Sequence, residues 1–329
     1  MTAPTLPPKS GRLLKRSGVE MRLGLLITAS RLLAKPLLAR TATPQQARSD
    51  FARMAGFLPS PPYVLHLPGA GVLPLHQISV GKVRTDRVIL YFHGGGYIAG
   101  SPDTHVGLMG RLSKLTGLRI IAPAYRLAPE HPAPAAFEDA VTAHEALLDQ
   151  GYDPDHIVLG GDSAGGGLAL ALLGRLCVQG LRPAGLFAFS PWTDLGLTGD
   201  SLRRNANVDP IFPAGRISDL VGYVAGNLDP RDPRLSPLYA DYSKPPPVLM
   251  LVGTTEILLD DSRRMAARLT EAGGTVSLSE YPGAPHVWPL LDGYIPQARA
   301  ALREVAGFIT AAFSPSRATS PSDQRPDGS

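Results

Sequence analysis

From about residue 85 onward, short apolar runs alternate with longer segments whose apolar positions recur at helical spacing. The compact runs 87–92, 118–123, 156–160, 184–189, 248–252 and 276–281 predict six strands, the first of them buried. The longer periodic stretches 137–150, 165–179, 262–272 and 295–313 predict helices between and after them. Glu138 and Asp139 fall in the first turn of the 137–150 helix, where the helix dipole favours negative charge. Strands and helices in this order imply an α/β fold, a mostly parallel sheet with helices on both faces. Right-handed crossovers then gather the C-terminal strand ends at one edge, where ligands bind in such folds.

Two segments break the alternation. Residues 1–55 are mainly helical, and residues 195–240 make a long excursion between two strands. An insertion at the strand ends is well placed to cover a pocket. The expected organisation is an N-terminal helical segment (1–55), a catalytic domain (56–313) carrying the insertion at about 195–240, and a tail (314–329). That tail is rich in Ser, Pro, Asp and Arg and is expected to be disordered.

Charge and composition narrow the reading. The 329 residues are 44% hydrophobic and 18% charged, enough for one large domain with a sizeable core. The net charge is only +4, and no basic, aromatic-interleaved patch recurs, so nucleic acid is not an expected partner. Lys9, Arg12, Lys15 and Arg16 precede an apolar stretch, Leu23 to Leu38, that Arg31, Lys35 and Pro36 interrupt. That makes a poor signal peptide and a better amphipathic helix. Its leading role is to pack against the body; weak peripheral contact with an anionic surface is the second reading. No apolar run reaches the roughly 18 residues of a membrane span. Cys177 is the single cysteine, which excludes an intrachain disulfide and fits a reducing, cytoplasmic setting. A homodimer is compatible with the chain but not specified by it.

Candidate chemistry follows the predicted strands. Gly161-Asp162-Ser163-Ala164-Gly165 fits G-x-S-x-G between a strand and a helix. A sharp strand-to-helix turn needs residues without side chains beside the serine, and the following helix N-terminus favours developing negative charge. A glycine-rich turn with a capping serine is the bland alternative, and a phosphate loop lacks the Gly-Lys-Ser/Thr it needs. His93-Gly94-Gly95-Gly96-Tyr97 directly follows the 87–92 strand. Bare backbone there can approach a reacting carbonyl, so Gly94 and Gly95, with Ala164, are the expected N–H donors to an oxyanion.

Together these two strings resemble the hormone-sensitive-lipase-like group of α/β-hydrolases, which includes many bacterial carboxylesterases. Tyr125 to Glu130, His131 to Pro134 and Asp229 to Pro237 are similar to further segments of that group, in the right order over roughly residues 60–312. The resemblance implies an α/β-hydrolase fold with a helical cap built from the N-terminal arm and the 195–240 excursion. It also implies that His93 supports the loop rather than reacting.

A general base and an acid complete the set. Of eight histidines, only His286 follows Ser163 by way of the last strand, in the order Ser, acid, His. The acid falls among Glu256, Asp260 and Asp261, all after strand 248–252. The related group usually carries Asp before Pro-Leu at the position that matches Glu256; this chain has Glu-Ile-Leu instead. Glu256 is the favoured acid, with Asp260 and Asp261 read as early-helix residues. Asp162 is read as bracing the elbow, and Arg126, Glu130 and Asp139 as structural ion-pair formers. The expected activity is hydrolysis of short- to medium-chain carboxylic esters through a serine acyl-enzyme. No metal-ligand spacing or dinucleotide fingerprint occurs, so no cofactor is expected and the partner is a small ester. An amidase or lactonase would use the same triad, and a non-catalytic ligand-binding protein would be expected to have lost Ser163 or His286.

Overall fold

The computed structural model describes residues 22–314. Lys9, Arg12, Lys15, Arg16 and almost all of the 314–329 tail therefore lie outside the described residues. A helix over residues 22–40 (α1), wider by a π turn at Ser30–Ala34, leads to α2 (Pro44–Ala55). The body then runs β1 (Val64–Leu67), β2 (Leu75–Val80), β3 (Arg84–Phe92), α3 (Val106–Thr116), β4 (Leu118–Pro123) and α4 (Ala135–Asp149). It continues with β5 (Ile157–Asp162), α5 (Ala164–Val178), β6 (Gly185–Phe189), α6 (Ser201–Arg204) and α7 (Ile217–Ala225). It closes with β7 (Val248–Gly253), α8 (Leu259–Glu271), β8 (Val276–Tyr281) and α9 (Pro296–Ala312).

The eight strands form one sheet in the order β1-β2-β4-β3-β5-β6-β7-β8. Strands β3 to β8 run parallel, as the alternation predicts, while β2 pairs antiparallel with both β1 and β4. The β1–β2 ribbon and α3 have no counterpart in the sequence reading. His66, His76 and Gln77 break up the apolar signal of these two strands, and Gly107 and Gly110 blur the helical period of α3.

Side chains of each central strand alternate between two cores, as pleating requires. Val88, Leu90 and Phe92 of β3 meet Leu168 and Leu172 of α5 on one face. Ile89 and Tyr91 meet Met109 and Leu112 of α3, and Leu302 and Val305 of α9, on the other. Each fully buried leucine contributes about 2 kcal/mol relative to exposure, so this double core makes the sheet a rigid base for the loops at its edge.

The chain leaves the sheet after β6 and returns at β7, and α1 fastens to this excursion. Lys35 Nζ donates to the carbonyls of Ala206 (2.9 Å) and Asp209 (2.8 Å), and Arg31 donates to Val208 O (2.9 Å). Thus α1 is held by these cations at its C-terminal half and by Leu23, Leu26 and Ile27 against the core at its N-terminal half, while Leu25, Leu32 and Leu33 face outward. From α2, Arg48 grips Ile98 O, Ala128 O and Glu130, and Phe51 stacks on His105. No helix among the described residues is long and apolar enough to cross a membrane.

Candidate active site

Ser163 sits between β5 and α5 with φ 53° and ψ −122°. This conformation is costly for a residue with a side chain and persists only where its surroundings over-determine it. Here Ser163 N donates to Phe189 O (2.8 Å), and Ser163 O accepts from Trp192 N and Gly167 N (both 3.0 Å). A side chain at Gly165 would place Cβ 2.1 Å from Phe92 O, which explains the second glycine of the motif.

The glycine loop corrects one sequence expectation. Gly94 N–H does not remain available for an oxyanion: it donates to Asp162 Oδ1 at 3.0 Å. A Cβ on Gly94 would lie 2.2 Å from Asp162 Oδ2, so this glycine serves close approach to the elbow. The N–H groups of Gly95 and Gly96 have no hydrogen-bond partner among the described residues. Ala164 begins α5, where the first N–H groups lack intrahelical acceptors. Of the three loop glycines, Gly95 and Gly96, rather than Gly94 and Gly95, thus keep their N–H groups free of a partner among the described residues.

Asp162 is buried and gathers the elbow's support. Tyr91 donates to it at 2.8 Å, and His105 Nε2 lies 3.3 Å from Oδ1. Burial opposes its ionisation, but His105 and Tyr91 outweigh it and hold the carboxyl below its ordinary pKa. His93 is buried, stacked on Tyr125 at 4.2 Å, with Nδ1 2.8 Å from Gly94 O. Burial pushes its pKa down to about 3, so it is neutral at working pH and suited to bracing the loop.

Behind the last strands, His286 Nδ1 lies 2.6 Å from Glu256 Oε2. Glu256 is fully buried, and its other oxygen accepts from Ser190 Oγ (2.8 Å) and Gly253 N (2.5 Å). His286 Nε2 is buried and has no partner among the described residues. The structure therefore joins Glu256 to His286 and takes both aspartates elsewhere. Asp261 Oδ2 accepts from Thr193 N (2.8 Å) and Asp194 N (2.9 Å), while Asp260 accepts from Ser201 N (2.8 Å). Both tie α8 to the root of the insertion. Arg126 pairs with Asp139 at 2.9 Å, and Glu130 with Arg48.

Four neighbours escaped the sequence reading. Ser190 Oγ accepts from Val287 N (3.2 Å) while donating to Glu256. Asn205 Nδ2 donates to Glu256 O (2.7 Å), Asp209 Oδ2 accepts from Ile257 N (2.9 Å), and Phe212 meets the His286 ring edge-on at 4.5 Å. Ser190 could have been found, because it directly follows a predicted strand; the other three come from the insertion, where no spacing marks them. The insertion also overhangs the glycine loop: a methyl on Gly96 would lie 3.6 Å from Leu220 Cδ1. A neighbouring cleft is lined by Tyr97, Pro134, Phe137, Leu168, Val224 and Leu235, and does not include Ser163, Glu256 or His286.

Residues 89–290 match a protein family described as having the alpha/beta hydrolase fold. An esterase of Acinetobacter venetianus is 39% identical over 231 residues, 70% of this chain and 76% of that one. An acetyl-hydrolase of Streptomyces hygroscopicus is 37% identical over 252 residues, covering 74% and 84% respectively. Among solved structures, an esterase from the bacterial hormone-sensitive lipase family superimposes with a TM-score of 0.84 at 36% identity, covering 89% of this chain and 99% of that one.

Proposed function

The chain belongs to the α/β-hydrolase fold family, in its hormone-sensitive-lipase-like group of ester hydrolases, and on that premise we propose that Ser163, His286 and Glu256 cleave esters of short- to medium-chain acids. The observation that carries this reading is the 2.6 Å contact of His286 Nδ1 with buried Glu256, which leaves Nε2 unpaired as a proton acceptor. His286 takes the Ser163 hydroxyl proton at Nε2 as Oγ bonds to the ester carbonyl carbon. Glu256 stabilises the imidazolium that results. The N–H groups of Gly95, Gly96 and Ala164 stabilise the oxyanion. Collapse of the intermediate breaks the ester C–O bond, and the leaving alkoxide receives the proton from His286. Water then repeats the sequence on the acyl-enzyme and releases the acid.

A small acyl group is favoured because Leu220 and Phe212 bring the insertion close over the loop and the base. The relative named as an acetyl-hydrolase agrees with that size. A cytoplasmic location is part of the same reading and rests on the single, buried, free thiol of Cys177.

The test is a series of p-nitrophenyl esters from acetate to palmitate, run on the parent and on Ser163→Ala. Acetate and butyrate should turn over at least about tenfold faster than palmitate, and Ser163→Ala should lose at least about 10³-fold on every ester. An organophosphonate that labels another serine would refute the nucleophile, and a palmitate preference would refute the acyl size.

A further inference from the structure

The β1–β2 ribbon brings together three metal-binding groups that are distant in sequence. In the ribbon's register His66 faces Ile78, which puts His66 and His76 diagonally across one face. The 103–105 turn, which leads into α3, reaches the same point. His66 Nε2 lies 2.8 Å from His76 Nδ1, and His66 Nδ1 lies 3.7 Å from Asp103 Oδ1. One ligand atom from each of the three falls within 4.8 Å of the other two.

We propose that His66, His76 and Asp103 form a binding site for a zinc-class divalent cation. Two imidazoles and one carboxylate suit a borderline metal, whereas magnesium and calcium prefer oxygen ligands. Tetrahedral zinc holds two nitrogen ligands about 3.3 Å apart, so His66 Nε2 and His76 Nδ1 part by about half an ångström and turn toward a shared ion, while the exposed Asp103 carboxylate, within 4.8 Å, swings in to join them. His76 is nearly buried and fixed in β2, while the Asp103 side chain is 67% exposed. That leaves an open side for a water as fourth ligand. Because the three ligands come from β1, β2 and the turn before α3, the cation staples the edge of the sheet. The adjoining His105 holds Asp162 under Ser163, but none of the three ligands belongs to the proposed triad. The site had no signature in the chain because only the folded ribbon and the 103–105 turn beside it bring positions 66, 76 and 103 together.

The test uses the tag-free full chain, stripped with chelator and titrated with zinc chloride by calorimetry and by thermal melting. One saturable equivalent is expected, with a melting midpoint raised by about 5 °C at a hundredfold excess over Kd. Magnesium chloride should leave the midpoint unchanged. His66→Gln and Asp103→Asn alter partly exposed side chains, and circular dichroism checks that each remains folded. Each should weaken zinc binding at least tenfold, while His286→Gln and Asp155→Asn should bind like the parent. Absence of saturable binding overturns the proposal. So does binding that survives both His66→Gln and Asp103→Asn, or that depends on His286 or on the exposed Asp153, Asp155 and His156 group.

Discussion

Ser190 receives Val287 N–H and gives its own hydroxyl to Glu256, so one small side chain ties Glu256 to the loop that carries His286. Glu256 and Ser190 act differently on His286, and substitution separates them. Glu256→Gln preserves shape but removes the charge that stabilises the imidazolium; kcat should fall by about 10⁴, by analogy with the neutralised acid of serine proteases. Ser190→Ala leaves the carboxylate in place, still accepting from Gly253 N (2.5 Å). Its kcat should fall only about tenfold, with KM nearly unchanged. Steady-state kinetics on p-nitrophenyl butyrate decide the order; equal losses would mean that Glu256 acts through packing alone. The same scale explains the oxyanion correction. The three glycines read alike in the sequence, but Gly94 lies against the Asp162 carboxylate, which captures its N–H.

At the scale of elements, α1 reaches the catalytic loops without touching them. Lys35 closes on Ala206 O and Asp209 O, and the segment it holds carries Asn205, Asp209 and Phe212 to Glu256, Ile257 and His286. Lys35→Met should therefore loosen the acid and base together. A three- to tenfold loss of kcat is expected, about 0.7–1.4 kcal/mol in activation free energy, and Lys35→Arg should recover most of it. Unchanged kcat in a folded Lys35→Met protein would show that α1 only covers the insertion. The amphipathic period of α1 was legible in the sequence, but its outward and inward sides were not. Leu23, Leu26 and Ile27 pack on the core, while Arg31 and Lys35, which interrupt the apolar stretch, fasten the helix to the insertion because the carbonyls at 206, 208 and 209 accept from them.

For the molecule as a whole, Asp261 couples the seating of the insertion to pH. Burial, reinforced by the neighbouring Asp194 charge, pushes its carboxyl up to about 7. Between its unfolded value near 3.8 and about 7, the folded state holds a proton that the unfolded state has lost. Through this group, stability is greatest below that window and falls as pH rises across it. Urea midpoints measured at pH 5 and pH 8 should fall more steeply for the parent than for Asp261→Asn. Parallel slopes would show that Asp261 does not titrate in that range.

Six parallel strands were legible in the chain because five carry continuous apolar runs, β8 alternates apolar with polar residues, and each ends in a turn, local patterns that survive any tertiary arrangement. For the same reason the elbow at Ser163 and the glycine loop were legible: their backbone demands are local and leave glycines at fixed positions. The β1–β2 ribbon was not, because its strands mix polar and apolar residues and take their register from each other and from β4. Spacing left three carboxylates open behind β7. The fold joined Glu256 to His286 at 2.6 Å and turned Asp260 and Asp261 toward the insertion. Local sequence determines where the chain bends and which residues can react. Contacts across 30 to 180 positions, absent until the sheet closes, decide which of those residues meet.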